Sequence, residues 1–186
     1  SYNQRPIRVS PSLLSANFAA MGADAALALA AGGDRLHIDV MDGRFVPNIT
    51  MGMPMVEALR RTLGPQAYLD CHLMIVEPER YVEAFAKAGA SQISVHVEAS
   101  PHLHRTIQLI RATGAHVGVA INPATSLHSI YEIIDQIDTV LMMTVNPGFG
   151  GQKYIPQSTQ KIHTVRRFID EHHLTASIQV LSLIHI

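Results

Sequence analysis

Short apolar runs rich in β-branched residues alternate along the chain with segments whose apolar positions recur every three to four residues. The first pattern suits buried strands and the second suits amphipathic helices. The extended runs fall at 7–10, 35–40, 67–71, 92–97, 116–121, 139–143 and 177–180. Between them, Val56, Leu59 and Leu63 share one helical face, as do Leu103, Ile107 and Ile110, and Ile162, Val165 and Ile169. Pro54, Pro78 and Pro101 stand where a first helical residue is expected, because proline there sacrifices no needed N–H. Ser100 is placed to cap the helix after Pro101. Gly64, Gly89 and Gly114 follow the second, third and fourth helices, where a left-handed residue closes the last turn.

Seven β segments and six helices in strict alternation predict a parallel sheet with right-handed crossovers. An open doubly wound sheet and a closed (β/α)₈ TIM barrel both fit that pattern. At 186 residues the chain is near the lower limit for a barrel, which takes roughly 200 or more. Residues 1–180 are expected to form one domain, for no linker or low-complexity stretch interrupts them.

Composition narrows the function. Apolar residues make up 47% and charged residues 16%, as in a globular protein. A net charge of −1 gives no electrostatic hold on nucleic acid. No apolar run reaches the ~20 residues of a membrane span, and the N-terminal residues contain no apolar signal core. The single cysteine, Cys71, excludes an internal disulfide, and a reducing cytoplasmic location is the expectation.

In parallel α/β proteins the ligand lies at the C-terminal ends of the strands. There the chain carries His37 and Asp39, two apart and so on one face, and His72 at the next strand tip. Two imidazoles and a carboxylate form a suitable first shell for Zn²⁺, Fe²⁺ or Mn²⁺. The alternative is three separate hydrogen-bonded strand-end residues. Met41, Met74 and Met143 also fall at strand tips. Core packing is the first reading for them, and a water-excluding cover over a reactive centre is the second. The stretch Asn146-Pro147-Gly148-Phe149-Gly150-Gly151-Gln152 exposes backbone N–H groups that can cradle a phosphate, or else is an ordinary turn. His96 and Glu98 end another strand without an assigned role. Cys71 alternates away from His72 and is expected to pack against the helices.

Together, Pro11-Ser12-Leu13-Leu14-Ser15-Ala16, the stretch from His37 to Gly43 continuing to Phe45-Val46-Pro47-Asn48, His72-Leu73-Met74, and the glycine-rich stretch from Asn146 resemble the ribulose-phosphate 3-epimerase family in order and spacing. The resemblance implies a TIM barrel and interconversion of D-ribulose 5-phosphate and D-xylulose 5-phosphate in the pentose phosphate pathway. It also implies one divalent metal ion (Zn²⁺, Fe²⁺, Mn²⁺ or Co²⁺) held by His37, Asp39 and His72. Asp39 becomes an acid/base, Ser12 and His72 contact substrate, and Gly148, Phe149, Gly150 and Gly151 contribute to the phosphate site. The three methionines pack over the intermediate. Epimerisation removes the proton beside the carbonyl and returns one to the opposite face of a planar enediolate, whose charge a metal stabilises. Family members are usually homo-oligomers.

The chain departs from the family's pattern at its end. The family carries a second aspartate in a Val-Asp-Gly-Gly motif; here Ser177-Ile178-Gln179-Val180 is followed by Leu181. Residues 181–186 back-translate to a sequence resembling a transposase mosaic-end adapter, so a non-native tail on a truncated barrel is expected. Little turnover and poor solubility follow from that expectation. Competing readings are an allulose 6-phosphate 3-epimerase and a non-catalytic sugar-phosphate-binding remnant. A decarboxylase of the same superfamily lacks support, since no Asp-x-Lys-x-x-Asp arrangement stands at a strand tip.

Overall fold

The computed structural model describes residues 6–181. Six parallel strands form one sheet in chain order: β1 Leu36–Met41, β2 Leu69–Met74, β3 Gln92–His96, β4 His116–Ile121, β5 Thr139–Met143 and β6 Ser177–Leu181. The intervening helices are α1 Met21–Ala30, α2 Met53–Leu63, α3 Val82–Ala88, α4 Leu103–Ala112, α5 His128–Tyr131 and α6 Gln157–Glu171. The sheet curls far enough for Gln179 on β6 to reach His37 on β1 and Asp70 on β2. This is the αβ arrangement of an incomplete (β/α)₈ barrel.

Alternation along the strands separates two environments. Ile38 and Val40 on β1, Cys71 and Leu73 on β2, Ile93 and Val95 on β3, and Val117, Val119 and Ile121 on β4 point outward and are buried. They pack in one cluster with Val56 and Leu59 of α2, Phe85 of α3, Ile107 and Ile110 of α4, and Val165 and Ile169 of α6. The inward face is largely polar: His37, Asp39, Asp70, His72, Gln92, Ser94, His96 and Thr139 are all buried there. The apolar outer layer therefore supplies the core, and the inner layer supplies the chemistry.

Two local expectations are corrected. Residues 7–10 form no strand. They run beside β1 with Asp34 N–H donating to the Val9 carbonyl and His37 N–H to the Pro11 carbonyl, but only Ser12 makes a bridge, to His37. Pro11 has no N–H, so a continuous ladder cannot form through it. Ser100 is not an N-cap: α4 begins at Leu103 after His102, and the Ser100 hydroxyl is buried without a hydrogen-bond partner. The glycines after α2, α3 and α4 all take positive φ, +80° at Gly64, +115° at Gly89 and +86° at Gly114; Gly89 is left-handed as expected, whereas a ψ of 178° takes Gly64 out of that region. Of the tail at 181–186, only Leu181 lies within the described residues. It completes β6 opposite Met143.

Candidate metal and active site

Parallel pairing of β1 with β2 places Asp39 directly beside His72, and His37 beside Asp70. The three predicted ligands converge. His37 Nε2 lies 3.3 Å from Asp39 Oδ1, His72 Nδ1 lies 3.1 Å from the same oxygen, and the two nitrogens are 3.4 Å apart. Two donors bound to one tetrahedral ion at ~2.1 Å stand about 3.4 Å apart, so this triangle fits a single small divalent cation. All three side chains are buried. Ser12, expected beside the site, donates its hydroxyl to Asp39 Oδ2 at 2.6 Å.

The charges are strongly coupled. Burial disfavours a charged His37, yet Asp39 and Asp70 outweigh it and push its pKa up to about 10. Burial likewise opposes ionisation of Asp39, but His37 and His72 hold its carboxyl far below the usual range. His72 is pushed down to about 4, mainly by burial and against the pull of Asp39. Without a cation, the proton on His37 thus supplies positive charge between two carboxylates.

A second ring of groups escaped the sequence reading. Asp70 Oδ2 accepts from His37 Nδ1 at 2.8 Å and from Gln179 Nε2 at 2.7 Å, while Gln92 Nε2 donates to Asp70 Oδ1 at 3.0 Å. This carboxylate fixes His37 so that Nε2 faces the triangle, as outer partners of metal-binding histidines commonly do. Asp70 stands two residues before His72 on the same face, which is the signal that could have identified it. Gln179 carried no such signal, because its contact depends on the curl of the whole sheet. His72 Nε2 lies 2.7 Å from His96 Nε2.

The methionines divide between two clusters. Met41 and Met74 pair across β1 and β2 and pack with Val46, Leu14 and Phe45. Met143 packs instead with Ala120, Leu141, Val145 and Leu181. The glycine-rich segment follows β5 and leans on the loop after β1: Asn48 Nδ2 donates to the Gly148 carbonyl at 3.1 Å. A Cβ on Gly148 would stand 3.1 Å from Pro47 Cδ, and its φ is +127°. Gly150 borders open space, Gly151 has a φ of +72°, and Phe149 is half exposed.

Residues 8–182 match the profile described as the ribulose-phosphate 3 epimerase family. The chain is 56% identical over 165 residues to ribulose-phosphate 3-epimerase of Bacillus subtilis, covering 89% of this chain and 75% of that one. It is 52% identical over 163 residues to the Escherichia coli K12 protein of the same name, covering 88% and 72%. A solved structure of KGPDC from Streptococcus mutans, in complex with D-R5P, superposes with a TM-score of 0.68 at 14% identity, covering 96% of this chain and 79% of that one. At that identity the likeness concerns the fold.

Proposed function

Because the chain belongs to the ribulose-phosphate 3-epimerase family, we propose that His37, Asp39 and His72 hold its divalent metal ion and that Asp39 moves the substrate proton. The activity is that of an isomerase: inversion at carbon 3, interconverting D-ribulose 5-phosphate and D-xylulose 5-phosphate. Relatives at 52–56% identity carry this name, so allulose 6-phosphate and the non-catalytic reading are not favoured.

The observation carrying the site is the 3.1–3.4 Å triangle of donor atoms on the inward face. A cation held there supplies Lewis acidity that polarises the ketose carbonyl and acidifies the neighbouring C–H. Asp39 Oδ1 faces both imidazoles, which leaves Oδ2, the oxygen bonded to Ser12, as the base. Ser12 orients that oxygen until the substrate C3–H takes its place. Met41 and Met74, paired beside the strand tips, keep water from the reacting face, with Met143 covering the far side. Gly148, Phe149, Gly150 and Gly151 hold the phosphate through exposed N–H groups. The same reading includes a cytoplasmic location and a homo-oligomer, and the buried, unpaired Cys71 accords with a reducing compartment.

Return of a proton to the other face needs a second acid. On β6, Ser177, Gln179 and Leu181 share one face; Gln179 reaches His37, and Leu181 lies two residues further toward the strand tip. Leu181 has no proton to give. The expected behaviour is exchange of the C3 hydrogen of one epimer with solvent, with inversion slower by about 10²–10⁴-fold. Proton NMR in D₂O with metal-loaded protein reads both processes. Asp39→Asn should abolish the exchange; wild-type exchange in that variant would overturn the assignment of the base.

A further inference from the structure

We infer that His96 and Glu98 are positioning residues that keep the metal-facing nitrogen of His72 unprotonated through a carboxylate–imidazole–imidazole chain. This rests on the reading of His72 as a ligand and adds two groups to it. His72 directs Nδ1 at the donor triangle and Nε2 at His96 Nε2, 2.7 Å away. Two ring nitrogens that close share one proton, and its ownership decides whether Nδ1 is a ligand. If His72 Nε2 owns it, Nδ1 keeps a lone pair for a cation. His96 then accepts at Nε2 and carries its own proton on Nδ1, which lies 3.3 Å from Glu98 Oε2. A carboxylate can only accept, so that bond forms. The reverse neutral assignment sets an unprotonated His96 Nδ1 against a carboxylate oxygen, two acceptors facing each other, and puts on His72 Nδ1 a proton that Asp39 Oδ1, 3.1 Å away, would accept in place of a cation.

The surroundings favour the first assignment. Both rings are fully buried, so water cannot stand in for either partner. Their planes are within 24°, which is compatible with an N–H···N bond, and Phe45 packs on His96 at 4.8 Å between centroids. Glu98 is itself anchored: Oε1 accepts Asn122 N–H at 2.5 Å and the Thr125 hydroxyl at 2.8 Å. Its free oxygen is thereby aimed at His96. The chain is for His72 what Asp70 is for His37, with one imidazole more.

The test is Co²⁺ affinity of the 186-residue chain, measured by competition with a chromophoric chelator, with the visible Co²⁺ spectrum recorded in parallel. His96→Leu removes the acceptor and should weaken binding about 10–100-fold with an altered spectrum. His96→Gln offers a side-chain carbonyl to the same proton and should recover most of that loss. Glu98→Gln, which preserves shape, should weaken binding in the same direction and serves if His96→Leu does not fold. Wild-type affinity in both His96→Leu and Glu98→Gln overturns the inference, as does a His96→Gln variant as weak as His96→Leu. Failure of the wild-type chain to bind Co²⁺ would instead sink the ligand assignment beneath it.

Discussion

Asp42 uses both carboxylate oxygens on backbone donors: Oδ1 accepts from Arg44 and Phe45, and Oδ2 from Val76 in the loop after β2. Burial alone would raise its pKa, but these N–H groups lower it. A group whose folded pKa is depressed stabilises the fold above its unfolded pKa, and the gain is lost as pH falls through the folded value. Asp42→Asn should therefore cost about 1 kcal/mol at neutral pH, a loss that shrinks below about pH 4. Urea unfolding at pH 7 and pH 3 measures the difference; an equal loss at both would contradict the ionic account. Gly118 poses a steric question. A Cβ there would lie 2.0 Å from Ser94 Oγ and 3.2 Å from Ser94 Cα. Gly118→Ala should destabilise by about 1–3 kcal/mol, and combining it with Ser94→Gly should recover part of that in a double-mutant cycle. At this scale the His-x-Asp spacing and the histidine after Cys71 were enough to single out the three side chains that converge. The hydroxyl of Ser100 could not be interpreted the same way, because a cap depends on where the backbone first turns helical, two residues beyond Pro101.

Among the elements, α6 is tied to the loop after β4 by a single cation. Lys161 Nζ donates to the carbonyls of Asn122 at 3.0 Å and Pro123 at 3.2 Å, and also to that of Thr125. Desolvation lowers its pKa, partly offset by Glu98. Lys161→Met should speed hydrogen exchange at Asn122 and Thr125 several-fold and lower stability by about 1 kcal/mol, since the partly exposed ammonium is screened by water. Unchanged exchange at both amides would remove Lys161 from that role. Six of the seven predicted extended runs became strands, five within one residue at each end and 67–71 displaced to Leu69–Met74, because each carries an outward apolar stripe bounded by turn residues. The run at 7–10 had the composition, but Pro11 after it lacks the N–H that would continue a ladder. Gln92 and Gln179 stayed illegible for a different reason: their bonds to Asp70 cross between strands, and only register and curl bring them together.

For the whole molecule, the outermost strand on one side is exposed in part. Val180 on β6 is 41% accessible, and Ile7, Leu27 and Ile49 are more exposed still. Among the described residues β6 pairs only with β5, so its other backbone edge is open to a further strand. Concentration-dependent self-association is expected in sedimentation velocity, and Val180→Lys should reduce it; a sharp monomer boundary at all concentrations would refute this. The division between an apolar outer layer and a polar inner one also bears on errors of assembly. Slippage of β1 past β2 by a single position would turn Leu36, Ile38 and Val40 inward and drive two imidazole-and-carboxylate positions against the helices. Such a misthreaded barrel would forfeit its packing before any substrate arrived. Placing the converging polar side chains and the hydrophobes on alternate residues thus makes correct assembly of that cluster a precondition of folding itself.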